Sequence, residues 1–394
     1  MDLLFRAKAL LAARVMLMAG SCGGRGSEAP ALQRATAFGP VPGNDDSAAS
    51  GTYSWKGVPY ASPPVGDLRW MPPVDPAPWT TAASIGAARG QAVGPEDCLY
   101  LDIWAPAGAS TERRPVIVRV HGGSNITGYP ADPVYDGAAL ACAANAVVVS
   151  VNYRVGIFGF LHLAQLRTGD SAGDSGNFAI LDLVKALKFV QGNISAFGGD
   201  STRVTLIGQS AGAVNVLALL TSPLVVKARP ALFHRLVPIS SGISTAATMA
   251  PGALPRQANT LLMQALIADG TVADAAAATA CIAAHSSAEI AAYLRAKSPG
   301  ALLATVRARL TPLGLSGSHP TLDGAVLAAD PVAAIKDGRY LEVPVLSGNT
   351  RDEVLNALTT PQSPVRHCRF DWHAGWAADL RRESRHLEYP DPMK

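Results

Sequence analysis

The chain has 394 residues, 48% of them hydrophobic, which is enough to bury a sizeable core and argues against a disordered chain. Its 33 basic and 30 acidic residues leave a formal net charge of only +3, so no overall basic field recommends a nucleic acid or an anionic membrane surface as partner. The sequence holds no Walker loop, no zinc-type Cys/His spacing and no dinucleotide fingerprint, so no cofactor and no metal is expected.

The N-terminus admits two readings. Arg6 and Lys8 suit the basic region of an export leader, and Ala19-Gly20-Ser21-Cys22 suits a lipoprotein cleavage site with Cys22 as the lipid acceptor. Arg14 leaves only Val15 to Gly20 uninterrupted, however, shorter than the ~7–15 residues of a secretory apolar core. Export to the periplasm, cell surface or medium, with residues 1–26 as leader, is the expectation; a cytoplasmic chain with a disordered or mis-assigned start is the alternative. No later stretch is long and apolar enough to span a bilayer. Residues 27–52 are rich in Gly, Ala, Ser and Pro and read as a flexible lead-in. The five cysteines, Cys22, Cys98, Cys142, Cys281 and Cys368, are odd in number and far apart; they read as small buried hydrophobes rather than a disulfide framework.

Order is expected from Tyr53, through the extended Pro63-Pro64 segment. Leu99–Trp104, Val116–Val120 and Ala146–Val151 are strand-like runs, and after Asn177 the residues Ile180, Leu181, Val184, Leu187 and Val190 recur at helical spacing. This alternation of strand and helix is the signature of an α/β sheet. His121-Gly122-Gly123-Ser124 follows directly on the second run, and its small residues allow backbone N–H groups to approach a substrate oxygen. The β-branched run Val204–Ile207 then leads into Gly208-Gln209-Ser210-Ala211-Gly212 and an apolar helix to Leu220.

Strand, tight turn, helix is the context a nucleophile elbow requires, with glycines letting the backbone turn so that a serine Oγ stands proud of the sheet edge. Gly169-Asp170-Ser171-Ala172-Gly173 has the same spacing but lacks a strand before it and a helix after it, so Ser171 reads as a loop serine. A serine hydroxyl is a poor nucleophile at neutral pH and needs a base and oxyanion donors. Pro251 to Leu315 is alanine-rich and helical, a cap region whose apolar stripes are packing surfaces. Val343–Gly348 restores a short strand, followed by Asp352 and Glu353.

Taken together, these motifs resemble the type-B carboxylesterase and cholinesterase-like family of the α/β-hydrolase fold. The resemblance rests on Glu96–Leu101, the His121 loop, Asn152-Tyr153-Arg154-Val155-Gly156, Asn193–Asp200, Gly208–Ala213, Leu232-Phe233-His234-Arg235 and Asp323-Gly324. It implies an α/β-hydrolase core over residues 53–356, a mostly parallel central sheet flanked by helices, and a serine carboxylic-ester hydrolase acting through an acyl-enzyme on a small-molecule ester. By the same resemblance Ser210 is the nucleophile, and Ala211 with the loop residues Gly122, Gly123 and Ser124 forms the oxyanion hole. Ser124 stands where the family has a third glycine and Gln209 where it has Glu. Glu353 matches the acid that orients the catalytic histidine, with Asp352 as the alternative. Cys98 and Cys281 lack the upstream partners they have in the family, so neither familial disulfide is expected.

The family's histidine follows the acid after a helical segment and a late strand, which the tail from 357 to 394 is too short to hold. That tail, dense in Arg, His and Trp, suggests a truncation or a change of reading frame. His386 is the candidate base, with His367 and His373 behind it. A catalytically inactive hydrolase-fold protein is the alternative function.

Overall fold

Val147–Val151 (β7) consists of five consecutive buried residues, the composition of a strand covered on both faces. It lies near the middle of a seven-stranded sheet with the order β3-β4-β5-β7-β6-β8-β9. The other strands are Asn44–Asp46 (β3), Thr52–Pro59 (β4), Tyr100–Pro106 (β5), Arg114–Val120 (β6), Gly199–Gln209 (β8) and Arg235–Ile239 (β9). From β3 to β7 the neighbours are antiparallel; from β7 through β6 and β8 to β9 they are parallel. The computed structural model describes residues 32–80, 96–243 and 253–349. The chain divides into units 1–348 and 349–394, and the fold described is that of the first.

Side chains alternate across the strands and so feed two cores. Trp104 and Val148 pack under the helix Ala138–Ala144 (α1) through Ala138 and Ala141. Val147, Val149 and Val151, with Val116, Val118 and Val120 of β6, face the larger core. Helices Phe178–Asn193 (α2) and Ala211–Leu220 (α3) fill that core with Ile180, Leu183, Leu187, Val216 and Leu219. A buried ion pair ties α2 to the sheet's edge loops: Arg154 donates to Asp182 through Nε at 2.8 Å and Nη2 at 2.7 Å, and Nη1 reaches the Met71 carbonyl at 3.0 Å.

The flexible lead-in expected at 27–52 is corrected over its described part. Arg34–Ala35 (β1) and Pro40–Val41 (β2) form an antiparallel hairpin, and β3 joins the main sheet. Distant residues hold this stretch in place. The Trp55 indole donates to the Leu32 carbonyl at 2.6 Å, Asn193 Oδ1 accepts from the Ala37 amide at 2.7 Å, and Phe38 stacks on Phe189 at 6.1 Å. Close packing demands glycine at two positions, since a Cβ on Gly39 would stand 2.2 Å from the Trp79 carbonyl oxygen and one on Gly43 2.5 Å from the Trp55 indole nitrogen, which composition alone cannot tell from flexibility.

The expected cap is present as helices Ala253–Ala268 (α4), Ala275–Ala284 (α5), Ser287–Ala296 (α6) and Pro299–Thr305 (α7). Leu261, Leu262, Ala265, Leu266, Ile290 and Leu294 are buried in it. Arg69 anchors the cap, its Nη1 donating to the carbonyls of Leu294 at 3.0 Å and Lys297 at 2.7 Å, where the dipole of α6 favours a cation. The strand expected at Val343–Gly348 is reduced to two parallel bridges to β9, Leu236↔Val345 and Ile239↔Gly348. Pro238 and Pro344 each lack an N–H donor, which interrupts the ladder. No helix among the described residues is long and apolar enough to cross a membrane.

Candidate active site

Strands β6 and β8 are parallel neighbours, with Val120 opposite Gly208. The segments leaving their carboxyl ends, His121 onward and Gln209 onward, are therefore side by side, where α/β sheets hold their ligands. Ser210 adopts φ 55° and ψ −124°, a conformation most side-chain-bearing residues avoid. The surroundings enforce it: the Ser210 amide donates to the Ile239 carbonyl at 2.9 Å, and its own carbonyl accepts from Ala213 at 2.9 Å and Val214 at 3.1 Å, opening α3. A Cβ on Gly208 would stand 2.3 Å from the Gly212 carbonyl oxygen, and one on Gly212 would stand 2.3 Å from that of Val120. Both elbow glycines are thus demanded by the closeness of strand and helix. Ser210 is half-buried and its hydroxyl makes no hydrogen bond to a described residue. Ser171 is exposed beside the 3-10 turn Gly173–Ser175, with no helix behind it, as its flanking residues predict.

The loop after β6 passes through three left-handed residues, Gly123 (φ 107°), Ser124 (φ 56°) and Asn125 (φ 55°). For residues with a side chain this costs about 1–2 kcal/mol each. Ile126 and Thr127 both donate to the Gly123 carbonyl, at 3.0 and 3.1 Å, closing the turn. The amides of Gly123, Ser124 and Ala211 meet no acceptor among the described residues. Gly122 differs from its expected role. Its N–H donates to the Tyr135 hydroxyl at 3.0 Å and is spent. What Gly122 supplies is room, because a Cβ there would stand 2.7 Å from the Gln209 carbonyl oxygen and 3.1 Å from Ser210 Cβ. The unengaged donors are therefore Gly123, Ser124 and Ala211, the last at the positive end of the ten-residue helix α3.

Beneath the loop, His121 is 1% exposed and stacks on Tyr153 at 4.3 Å, its Nδ1–H donating to the Gly122 carbonyl at 2.9 Å. Burial pushes its pKa down from 6.5 to about 4. At neutral pH it is an uncharged strut. The unfolded chain takes up the proton near pH 6.5 and the folded chain only near pH 4, so stability is lost as pH falls through this window. Urea titrations should show about 3 kcal/mol of such loss between pH 6.5 and 4, absent from the difference profile of His121→Gln.

Glu353, Asp352, His367, His373 and His386 lie outside the described residues, as do Cys22 and Cys368 with the leader and the tail. Among the described cysteines all three are free thiols; Cys98 and Cys281 are half-buried, while Cys142 is exposed, contrary to the buried reading. Among the described residues no His, Cys, Asp or Glu cluster could hold a metal. A cavity of about 610 Å³ abuts loop residues 126–129, lined by Trp70, Ile126, Val155, Phe158 and Leu303, with Arg307 beside the last.

Strained serine, apposed glycine loop and unengaged amides form one arrangement at the carboxyl ends of β6 and β8. A model of the Carboxylesterase family matches residues 30–371. The chain belongs to the carboxylesterase family. Its relatives include fumonisin B1 esterase of Sphingopyxis macrogoltabida, 37% identical over 338 residues, covering 82% of this chain and 56% of that protein. Para-nitrobenzyl esterase of Bacillus subtilis is 34% identical, covering 84% of this chain and 64% of that protein. Among solved structures, the Geobacillus stearothermophilus carboxylesterase EST55 superposes with a TM-score of 0.68 at 32% identity, over 84% of this chain and 64% of that one. The fold is therefore the α/β-hydrolase fold. The chain spans 56% and 64% of the lengths of the two named relatives.

Proposed function

We propose that this carboxylesterase-family chain hydrolyses small, uncharged carboxylic esters through an acyl-enzyme on Ser210. Ser210 Oγ attacks the ester carbonyl carbon and gives its proton to a base. The carbonyl π electrons move to oxygen, and the resulting oxyanion accepts from the amides of Gly123, Ser124 and Ala211. Collapse expels the alcohol, which takes the proton back; water then repeats the sequence on the acyl-enzyme and releases the acid. In this reading the base is a histidine oriented by Glu353, and His386 is the candidate.

The observation that carries the proposal is the pairing of a φ 55° elbow serine with a loop whose two amides, of Gly123 and Ser124, meet no acceptor among the described residues. Donors left unpaired in this way are stabilisers held in place before the charge develops. The cavity beside residues 126–129 has Trp70, Ile126, Val155 and Phe158 on its wall together with the charged Arg69, Glu96, Arg154 and Arg307. The uncharged substrate class rests on the sequence, which has no charged cluster suited to a charged headgroup. Hydrolysis of p-nitrophenyl acetate and butyrate tests the reading, with Ser171→Ala as internal control. Turnover is expected in both proteins, with rates within about twofold since surface changes rarely matter. Turnover no faster than buffer, or lost in Ser171→Ala, would overturn it.

A further inference from the structure

The oxyanion donors come from two separate stretches of chain, Gly123 and Ser124 on the loop and Ala211 on the elbow. Something must fix one stretch against the other. Asn125 directly follows the loop donors and is 1% exposed; Asn215, one turn into α3, is fully buried. Asn215 Nδ2 donates to Asn125 Oδ1 at 2.8 Å, and Asn125 Nδ2 donates back to Asn215 Oδ1 at 3.3 Å. The two amides form a closed pair linking positions 90 residues apart.

The pair sits within a wider buried network. Tyr153 Oη donates to the His121 carbonyl at 2.8 Å and stands 3.3 Å from Asn125 Oδ1. The Asn125 carbonyl accepts from the Gly156 amide at 2.6 Å. Asn125 is thus gripped by both its side chain and its backbone in a left-handed conformation that asparagine tolerates better than most residues. Its side chain is engaged by Asn215 and Tyr153 within the core.

We propose that Asn125 and Asn215 are positioning residues whose amide pair sets the register between the two halves of the oxyanion hole. The inference rests on the oxyanion role assigned to Gly123, Ser124 and Ala211. Donors serve an oxyanion only within about 2.7–3.1 Å, so a small slip of the loop against α3 weakens the transition state more than the ground state. Asparagine at both ends suits this task, because each amide satisfies the other's donor and acceptor in a dry site.

The test uses the full chain with Asn125→Gly, which keeps the left-handed backbone and deletes the amide, Asn215→Leu, which keeps the volume, and their double variant. Asn215→Ser replaces Asn215→Leu should the latter fail to fold. The expected result is a kcat for p-nitrophenyl butyrate lowered about 10–100-fold in each single variant, with KM within about threefold. The double variant should be no more than about threefold worse than the poorer single one, because both delete the same link. Affinity for a trifluoromethyl ketone, whose adduct carries the oxyanion, should fall by the same factor as kcat. A role confined to stability would leave kcat and ketone affinity unchanged in the folded fraction, and that result overturns the proposal.

Amide hydrogen exchange at Ile126 and Thr127, which bond to Gly123, reads the loop without reference to activity. It should accelerate at least about tenfold in the variants while β6 and β8 stay protected. Unchanged exchange overturns the inference even if the wild type turns nothing over. Absence of wild-type turnover with accelerated exchange overturns the esterase reading instead and leaves the amide pair as the loop's anchor.

Discussion

Ser210→Ala is expected to lower kcat for p-nitrophenyl butyrate by at least about 10³-fold while leaving the urea midpoint of unfolding nearly unchanged. The size of the loss follows from the division of labour at the elbow. The amides of Gly123, Ser124 and Ala211 survive the substitution, so a residue of catalysis over water, ~10³–10⁴-fold, can persist from binding and the oxyanion hole. What disappears is the covalent route. Alanine bears the same Cβ in the φ 55° conformation and keeps the backbone bonds to Ile239, Ala213 and Val214, so the strain is no greater and the fold should persist. Equal activity in both proteins, measured side by side, would remove Ser210 from the mechanism.

Asp182→Ala has the largest expected effect on stability, a loss of about 3–5 kcal/mol in urea unfolding. Asp182 is fully buried and Arg154 is 3% exposed. Removing the carboxylate leaves the guanidinium, among the described residues, with the Met71 carbonyl and the face of Phe178 at 5.3 Å. A guanidinium 3% exposed recovers little of its hydration there, although Arg154 borders the cavity beside residues 126–129. The paired replacement Arg154→Met with Asp182→Leu removes both charges at similar volume and should recover most of the loss. If the single variant unfolds at the wild-type midpoint, the pair does not hold α2 as described.

The elbow was legible because its cause is local. Gly208 and Gly212 sit within two residues of Ser210, and the requirement that makes them glycine is the passage of strand into helix, which the flanking Val204–Ile207 and Ala213–Leu220 runs announce. Likewise β7 could be read from five adjacent residues, because burial on both faces leaves an unbroken apolar run. Ser171 was separable from Ser210 on the same ground, since its flanks carry neither element.

The features that escaped are those set by distant residues. The turn between β1 and β2 is anchored by Asn193 and Phe189, about 150 residues on, and its small residues look like those of a loose linker. Gly122 has the right identity and position for an oxyanion donor, yet Tyr135, thirteen residues later, takes its N–H. No local pattern joins Asn125 to Asn215, because their pairing exists only once β6 and β8 lie side by side. The bridges at Val343–Gly348 show the converse: a local apolar run that its prolines keep from becoming a full strand.

The central claim, that Ser210 is an activated nucleophile facing the Gly123 loop, is tested most directly by covalent labelling. The full chain would be treated with a fluorophosphonate at one to two equivalents and the adduct mapped by tandem mass spectrometry. One phosphonyl group per chain is expected, on Ser210, absent from Ser210→Ala and leaving Ser171 unmodified. A folded chain that stays unlabelled at Ser210, or that carries the label on Ser171, would contradict the account.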